Sequence, residues 1–373
     1  MKNIRYFESL TAMRGIAALW VMAFHIDVSL FYRDMGALVP RDATGLLSKG
    51  YLWVDFFFLL SGFILAHVYG DSLSGPRRWT AMIDYLWARL ARIYPLHLFT
   101  LGLVVIIALT YPLFLPQVKD GSWETFMAWR AIPSNLLLTH AMNQHTYLSW
   151  NIVSWSIGAE WWTCVFTVGL LILLHRGPER FAAAMIVVAF ALLAGLVYAL
   201  PDHVLDITYN WGFFRCLFEF VIGLALYRLW REGWFDWAGH GVWCAAALAA
   251  VVVVFHFRLP DLIVIPLFAV LIAGLAAGQG LVDTILRSAP LQHLGRISYS
   301  LYLMHGVAFS AFWFVMPWAK ARLGIPNETG RLIYAAAFVA IVVAASHLTY
   351  CGVERPARLW LMRLRHRSPH TGL

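Results

Sequence analysis

Apolar residues along this chain fall into ten runs, each close to the twenty or so residues that a helix needs to cross a bilayer. They cover about 11–31, 51–70, 93–115, 152–174, 180–200, 211–230, 239–257, 261–279, 297–318 and 331–350. Polar, turn-forming stretches separate them, such as 70–78 (GDSLSGPRR), 175–180 (HRGPER) and 319–330 (AKARLGIPNETG). The pattern predicts an all-α polytopic bundle of about ten spans. It forms one domain over 1–373 with its spans within 11–350, followed by a basic tail at 351–373.

Composition agrees. Hydrophobic residues make up 61% and charged residues 13%, against about 45–50% and 25% in soluble domains, and the mean hydropathy is +0.69. A soluble enzyme, a disordered chain and a secreted disulfide scaffold are excluded. Cys164, Cys216, Cys244 and Cys351 all sit in or beside apolar runs, with no CxxC. They read as small buried hydrophobes, and no metal site is expected.

The net charge of +8 raises the question of nucleic acid, but the placement of the charge answers it. Of the 28 Lys and Arg residues, 17 lie on the side that would hold both termini and 9 on the other, while Arg14 and Arg215 fall within or at the edge of spans. That asymmetry makes both termini cytoplasmic and the basic surplus a matter of topology. No nucleic-acid partner is expected. The N-terminal run lacks a small-residue cleavage site and carries His25, so it reads as an uncleaved first span. The longest stretch between spans, about 116–150, is expected outside, where Trp123, Trp129, His140, His145 and Trp150 would suit stacking on a sugar-like ligand.

Ionisable residues in a bilayer are expensive, so each calls for a partner or a task. Arg14 and His25 are eleven helical steps apart, which returns them to nearly the same face with a rise of about 16 Å. Glu160, in WSIGAEWW, counts out at about the depth of His25, where a carboxylate could orient an imidazole base; a structural hydrogen bond is the alternative. Arg89 and Arg92 share a helix face at the cytoplasmic entrance to the third run, suited to clamping a phosphate or simply serving as positive-inside charge. Arg215 and Glu219, four apart, most simply neutralise one another. Asp55 would sit just below the outer surface, and His305 either lines a cavity or is structural.

Together these pieces resemble acyltransferase family 3, integral-membrane acyltransferases that modify cell-surface glycans and related acceptors. Arg14 and His25 match its Arg/Lys, ten residues, His pattern, and 55–63 (DFFFLLSGF) resembles its second-span signature. Arg89 and Arg92 match its Arg-x-x-Arg motif, extended by Ile93, Tyr94 and Pro95. Trp155, Ser156 and Glu160 match its Trp-Ser-Leu-x-x-Glu run with Ile157 in place of Leu. Arg215 with Gly223, the stretch 295–305 (GRISYSLYLMH) and Glu354-Arg355-Pro356 continue the agreement, so that it covers roughly 5–360.

The resemblance implies transfer of an acyl group, by default acetyl, from cytoplasmic acyl-coenzyme A to a hydroxyl of an extracytoplasmic glycan or related acceptor. Coenzyme A is then a co-substrate, and no permanently bound cofactor is expected. Arg14, Arg89 and Arg92 would bind the donor, and His25 with Glu160 would carry the chemistry. Asp55, Ser61, Trp155 and His305 would form the acceptor pocket or support it. His25 either acts as general base in direct transfer, or takes the acyl group first as nucleophile. Acceptor candidates are a surface polysaccharide, an O-antigen, an exported oligosaccharide or a small molecule such as a macrolide. The expected location is multi-pass in a bacterial cytoplasmic (inner) membrane. Some relatives carry a soluble hydrolase-like domain after the last span; with about 20 residues following here, none is expected. A proton-coupled transporter is the competing class, disfavoured because neither an inverted repeat nor paired interrupted helices are visible. A membrane scaffold would leave the Arg14–His25 stripe and the cytoplasmic arginines without a shared purpose.

Overall fold

The computed structural model describes residues 5–115, 120–324 and 326–367. Lys2 and Lys119, and the Arg367 side chain, lie outside the described part, as do 116–119 of the long outer stretch. Fifteen α-helices make up the fold, with no strand among the described residues. The ten apolar runs all appear as helix. They are α1 (Glu8–Tyr32), α2 (Trp53–Leu73), α3 (Arg78–Phe114), α6 (Trp155–Phe166) with α7 (Val168–Arg176), α8 (Glu179–Ala199), α9 (Gly212–Arg231), α10 (Gly241–His256), α11 (Val264–Ala277), α13 (Ala289–Leu323) and α14 (Asn327–Thr349). Short helices α4 (Gly121–Phe126), α5 (Ile132–Leu136) and α12 (Gly280–Leu286) fill connections, and α15 (Arg355–Arg367) follows a π-helical turn at Tyr350–Glu354.

Among the described residues, length and composition qualify six helices to cross a membrane, or up to eight when each bent pair counts as one span. The expected ten is therefore not reached by that measure. The α9 run carries four charged side chains, Arg215, Glu219, Arg228 and Arg231, and α10 has 16 residues. One run is broken, where α6 and α7 meet at 58°, and a second break at the end of the 261–279 run turns the chain by 76° from the α11 segment into α12. At the first break Thr167 Oγ1 donates back to the Thr163 carbonyl at 2.7 Å, a bond that bends helices. At the second, Gly278 takes the left-handed conformation, φ +71°, that ends a helix.

The core pairs α1 with α13 and α2 with α9. Both crossings are set by glycine. A Cβ on Gly295 would stand 2.1 Å from the Thr11 carbonyl oxygen, and one on Gly223 would stand 2.0 Å from that of Leu59. Close backbone approach of this kind drives helix association where the solvent is as apolar as the side chains. The windows of α2 and α13 are 72% and 78% buried, against 22% for α8, so the first two are central and α8 faces outward. α15 packs on α3, where Trp87 Nε1 donates to the Leu361 carbonyl at 2.9 Å and Arg365 pairs with Asp84 at 2.9 Å.

One ion pair lies wholly inside. Arg215 on α9 donates from Nε and Nη2 to the two carboxylate oxygens of Asp55 on α2, at 2.8 and 2.7 Å, and neither residue is exposed. The expected Arg215–Glu219 neutralisation is secondary, at 3.9 Å, because Asp55 already occupies the two donors of the guanidinium edge. Removing one partner of such a pair leaves a buried charge uncompensated, at about 3–5 kcal/mol. Arg215→Leu should therefore lower stability by that amount in thermal unfolding in detergent. A double variant, Asp55→Asn with Arg215→Leu, should recover part of it.

Candidate functional site

Two cavities lie along α1. The first, of about 290 Å³, is lined by Arg14, by Arg89 and Arg92 of α3, and by Arg358 of α15. Spacing three residues apart on α3 turns Arg89 and Arg92 to the same side. The π-helical turn and the start of α15 bring Arg358 to the rim. None of these four guanidinium groups makes an ion pair among the described residues, and the Arg89 Nε is buried without a partner. One carboxylate faces the same space, that of Glu160, which accepts a hydrogen bond from Ser61 at 2.8 Å. A second lies behind the wall: Glu354, buried, accepts from Ser300 at 2.7 Å. Four cations against this small acidic complement make the cavity a receptacle for an anion.

The second cavity, of about 450 Å³, contains His25. Its wall includes Trp155, Phe309 and Trp313, and its polar groups include Tyr51, Arg41, Asp206 and Arg215. His25 Nδ1 lies 2.9 Å from the carbonyl oxygen of Val21, one helical turn earlier. A carbonyl only accepts, so Nδ1 carries the hydrogen and Nε2 keeps a lone pair, the form a base requires. The ring packs against that of His305, with centroids 4.9 Å apart, and against Phe24 and Phe309. His305 is held the same way, by the Leu301 carbonyl at 3.2 Å, and its Nε2 is buried without a partner.

The residues anticipated from sequence thus divide into two groups. Arg14, Arg89, Arg92, Glu160 and Ser61 share the arginine cavity; His25 and Trp155 line the histidine cavity with His305 behind. Glu160 is not the partner of His25. Its helix begins at Trp155, which already lines the histidine cavity, so five further residues carry Glu160 about 7–8 Å along the axis to the arginines. The neighbour of His25 is instead His305. Ser61, expected near the acceptor, belongs with the arginines. Asp55 lines neither cavity and acts through Arg215.

Most outer aromatics prove structural. Trp150 is fully buried, donating to the Ala128 carbonyl at 2.9 Å; Trp123 packs on Phe314; and His140 is buried between Ser134 and Ser154. His145 bonds Ser134 at 2.8 Å, and Trp129 is exposed. Sequence reasoning missed Arg358, Tyr302 and Trp313. The Glu354-Arg355-Pro356 motif two residues before Arg358 was the available pointer to the first.

A family model described as "Acyltransferase domain" matches residues 7–350, and the chain belongs to that family, the membrane acyltransferase family 3. It is an integral-membrane O-acyltransferase. The chain is 30% identical to "Acyltransferase MdmB" of Streptomyces mycarofaciens over 389 residues, covering 96% of this chain and 93% of that one. It is 23% identical to "Putative peptidoglycan O-acetyltransferase YrhL" of Bacillus subtilis (strain 168) over 385 residues, 95% of this chain and 55% of the relative's length. Over a shorter stretch of 115 residues, 31% of this chain, it is 37% identical to "Protein 2 in picA locus" of Rhizobium radiobacter, of which 52% is covered. No solved structure matches it significantly.

Because Val21, and not Glu160, holds the His25 ring, Glu160→Gln should leave the His25 tautomer as it is. Nitrogen NMR of labelled histidine should give the same Nδ1–H pattern for His25 in both proteins; a changed pattern would put the carboxylate on the imidazole.

Proposed function

We propose that the protein moves an acyl group, by default acetyl, from cytoplasmic acyl-coenzyme A to a hydroxyl of an extracytoplasmic glycan or related acceptor. The observation that carries this reading is the arginine cavity, where four guanidinium groups face one space with no ion pair among the described residues. Guanidinium forks match phosphate oxygens, and the donor's nucleotide end would fill that need. From there the uncharged pantetheine arm runs along α1 towards His25, about 16 Å further at 1.5 Å per residue. The acceptor enters the aromatic histidine cavity, whose tryptophans suit a sugar ring. The relative named a peptidoglycan O-acetyltransferase supports a glycan acceptor.

His25 Nε2 takes the proton of the acceptor hydroxyl as the oxygen bonds to the thioester carbonyl carbon. The carbon–sulfur bond then breaks, and the departing thiolate receives that proton, leaving an ester and free coenzyme A. Direct transfer is favoured because the space on the acceptor side can hold both reacting groups; prior acylation of Nε2 is the second route. The donor site lies on the side of both termini, which the Lys/Arg bias makes cytoplasmic, in a bacterial inner membrane crossed by the ten runs.

Two measurements on protein in nanodiscs test the reading. His25→Ala should bind acetyl-coenzyme A like the wild type and transfer nothing; retained transfer would remove His25 from the chemistry. Arg89→Gln and Arg92→Gln should each weaken donor binding roughly ten- to a hundredfold, as for a lost hydrogen bond to a charged group. An unchanged affinity in both would return these arginines to topology alone.

A further inference from the structure

The connection between α8 and α9, residues 200–211, brings to the histidine cavity a carboxylate that the chemistry above does not use. Asp206 lines that space with an exposed side chain, and it makes neither a hydrogen bond nor an ion pair among the described residues. Its neighbours are fastened on both sides. The Leu205 amide donates to Asp261 at 2.8 Å, and Asp261 also accepts from Lys49 at 2.5 Å and from Tyr51 at 2.6 Å. The Ile207 carbonyl accepts from Arg215 Nη1 at 3.2 Å. The backbone around Asp206 is thus tied to two carboxylate–cation pairs, Asp261 with Lys49 and Asp55 with Arg215. The charges around the cavity leave this carboxylate over. Arg41 and Arg215 on its wall pair with Asp27 at 3.1 Å and Asp55 at 2.7 Å, and Lys49 has Asp261. Three cations each have a carboxylate, and Asp206 is a fourth carboxylate with none.

Resting on the acceptor reading above, we propose that Asp206 binds the acceptor and makes the enzyme select neutral or cationic sugars over anionic ones. A carboxylate held on a fixed backbone and facing open space accepts hydrogen bonds from hydroxyl or ammonium groups. It repels a second carboxylate, which is how a site rejects the wrong partner. The aromatic wall receives the face of a sugar ring without fixing its rotation. Asp206 supplies the directional contact, to a donor group other than the hydroxyl that His25 serves.

The test uses the full chain in nanodiscs with acetyl-coenzyme A as donor and three related sugars as acceptor probes near neutral pH. N-acetylglucosamine is neutral, glucosamine is cationic and N-acetylmuramic acid is anionic. Released coenzyme A thiol gives the rate, and mass spectrometry identifies the ester. Wild type should show kcat/KM for N-acetylmuramic acid roughly tenfold or more below that for the other two, as like charges in one site require. Asp206→Asn keeps the shape and removes the charge, so it should erase most of that difference. It should also raise KM for glucosamine roughly tenfold, as for a lost hydrogen bond to a charged group, with kcat little changed, the mark of a binding contact. Acetyl-coenzyme A binding should be unchanged, which a merely structural role would not predict. Equal kcat/KM for neutral and anionic probes in wild type, or a preference that Asp206→Asn leaves whole, overturns the assignment of Asp206 while the acceptor reading stands. If wild type binds acetyl-coenzyme A and acylates none of the three, the acceptor reading falls and takes this one with it. The wild-type order of the probes needs no variant, so the test holds if Asp206→Asn does not fold.

Discussion

A carboxylate and a guanidinium shut away from water between α2 and α9 hold both cavities in register. Asp55 uses both oxygens on Arg215, so the pair fixes rotation as well as distance. One residue of slip on α2 would turn it by about 100°. Ser61 would leave Glu160, and Val54 would leave the wall that the two cavities share. Arg215 meanwhile presents its remaining surface to the histidine cavity and stacks over Trp155 with 5.5 Å between guanidinium carbon and ring centre. A buried ion pair is weak grounds for stability by itself. Here its use is geometric, since two glycine-paired helices could otherwise slide along their contact.

The cavities differ in their chemistry: one gathers four guanidinium groups, the other sets the His25 imidazole among aromatic rings beside Arg41, Arg215 and Asp206. Each also holds or adjoins a buried polar atom with no protein partner: Arg89 Nε in the first, His305 Nε2 behind the second. Such atoms are costly to leave unmet, so they mark where the protein's own hydrogen bonding stops short. Both fall beside the lines along which substrates would approach.

Much of this was legible in the sequence. Arg14 and His25 needed only helical periodicity, and one unbroken helix carries both. Arg89 and Arg92 needed only their spacing and a position beside an apolar run. Depth counting failed for Glu160 because it supplies a coordinate along one axis and assumes a straight run starting where hydrophobicity starts. Trp155, at the head of α6, already lines the histidine cavity, so Glu160 lies deeper than the count from 152 places it. Asp55 and Glu219 competed for one arginine, and nothing local could say that the partner 160 positions away would win over the one a turn away. The outer tryptophans show the same limit: the aromatic composition that suits a sugar also suits a packed core. Arg358 was hidden by its setting in a basic tail, where one arginine among several looks like ordinary surface charge.

The arginine cavity takes its first cation from residue 14 and its last from residue 358. Chains emerge from the ribosome in that order, and earlier segments settle first. Three cations are therefore in the bilayer, facing a half-built space, well before the fourth arrives on α15. The helix that completes the ring is also tied down locally, through Trp87 and Asp84 of α3. Biosynthesis thus ends by closing the receptacle, and a nascent chain interrupted before the π-helical turn would sit in the membrane with three of its four cations in place.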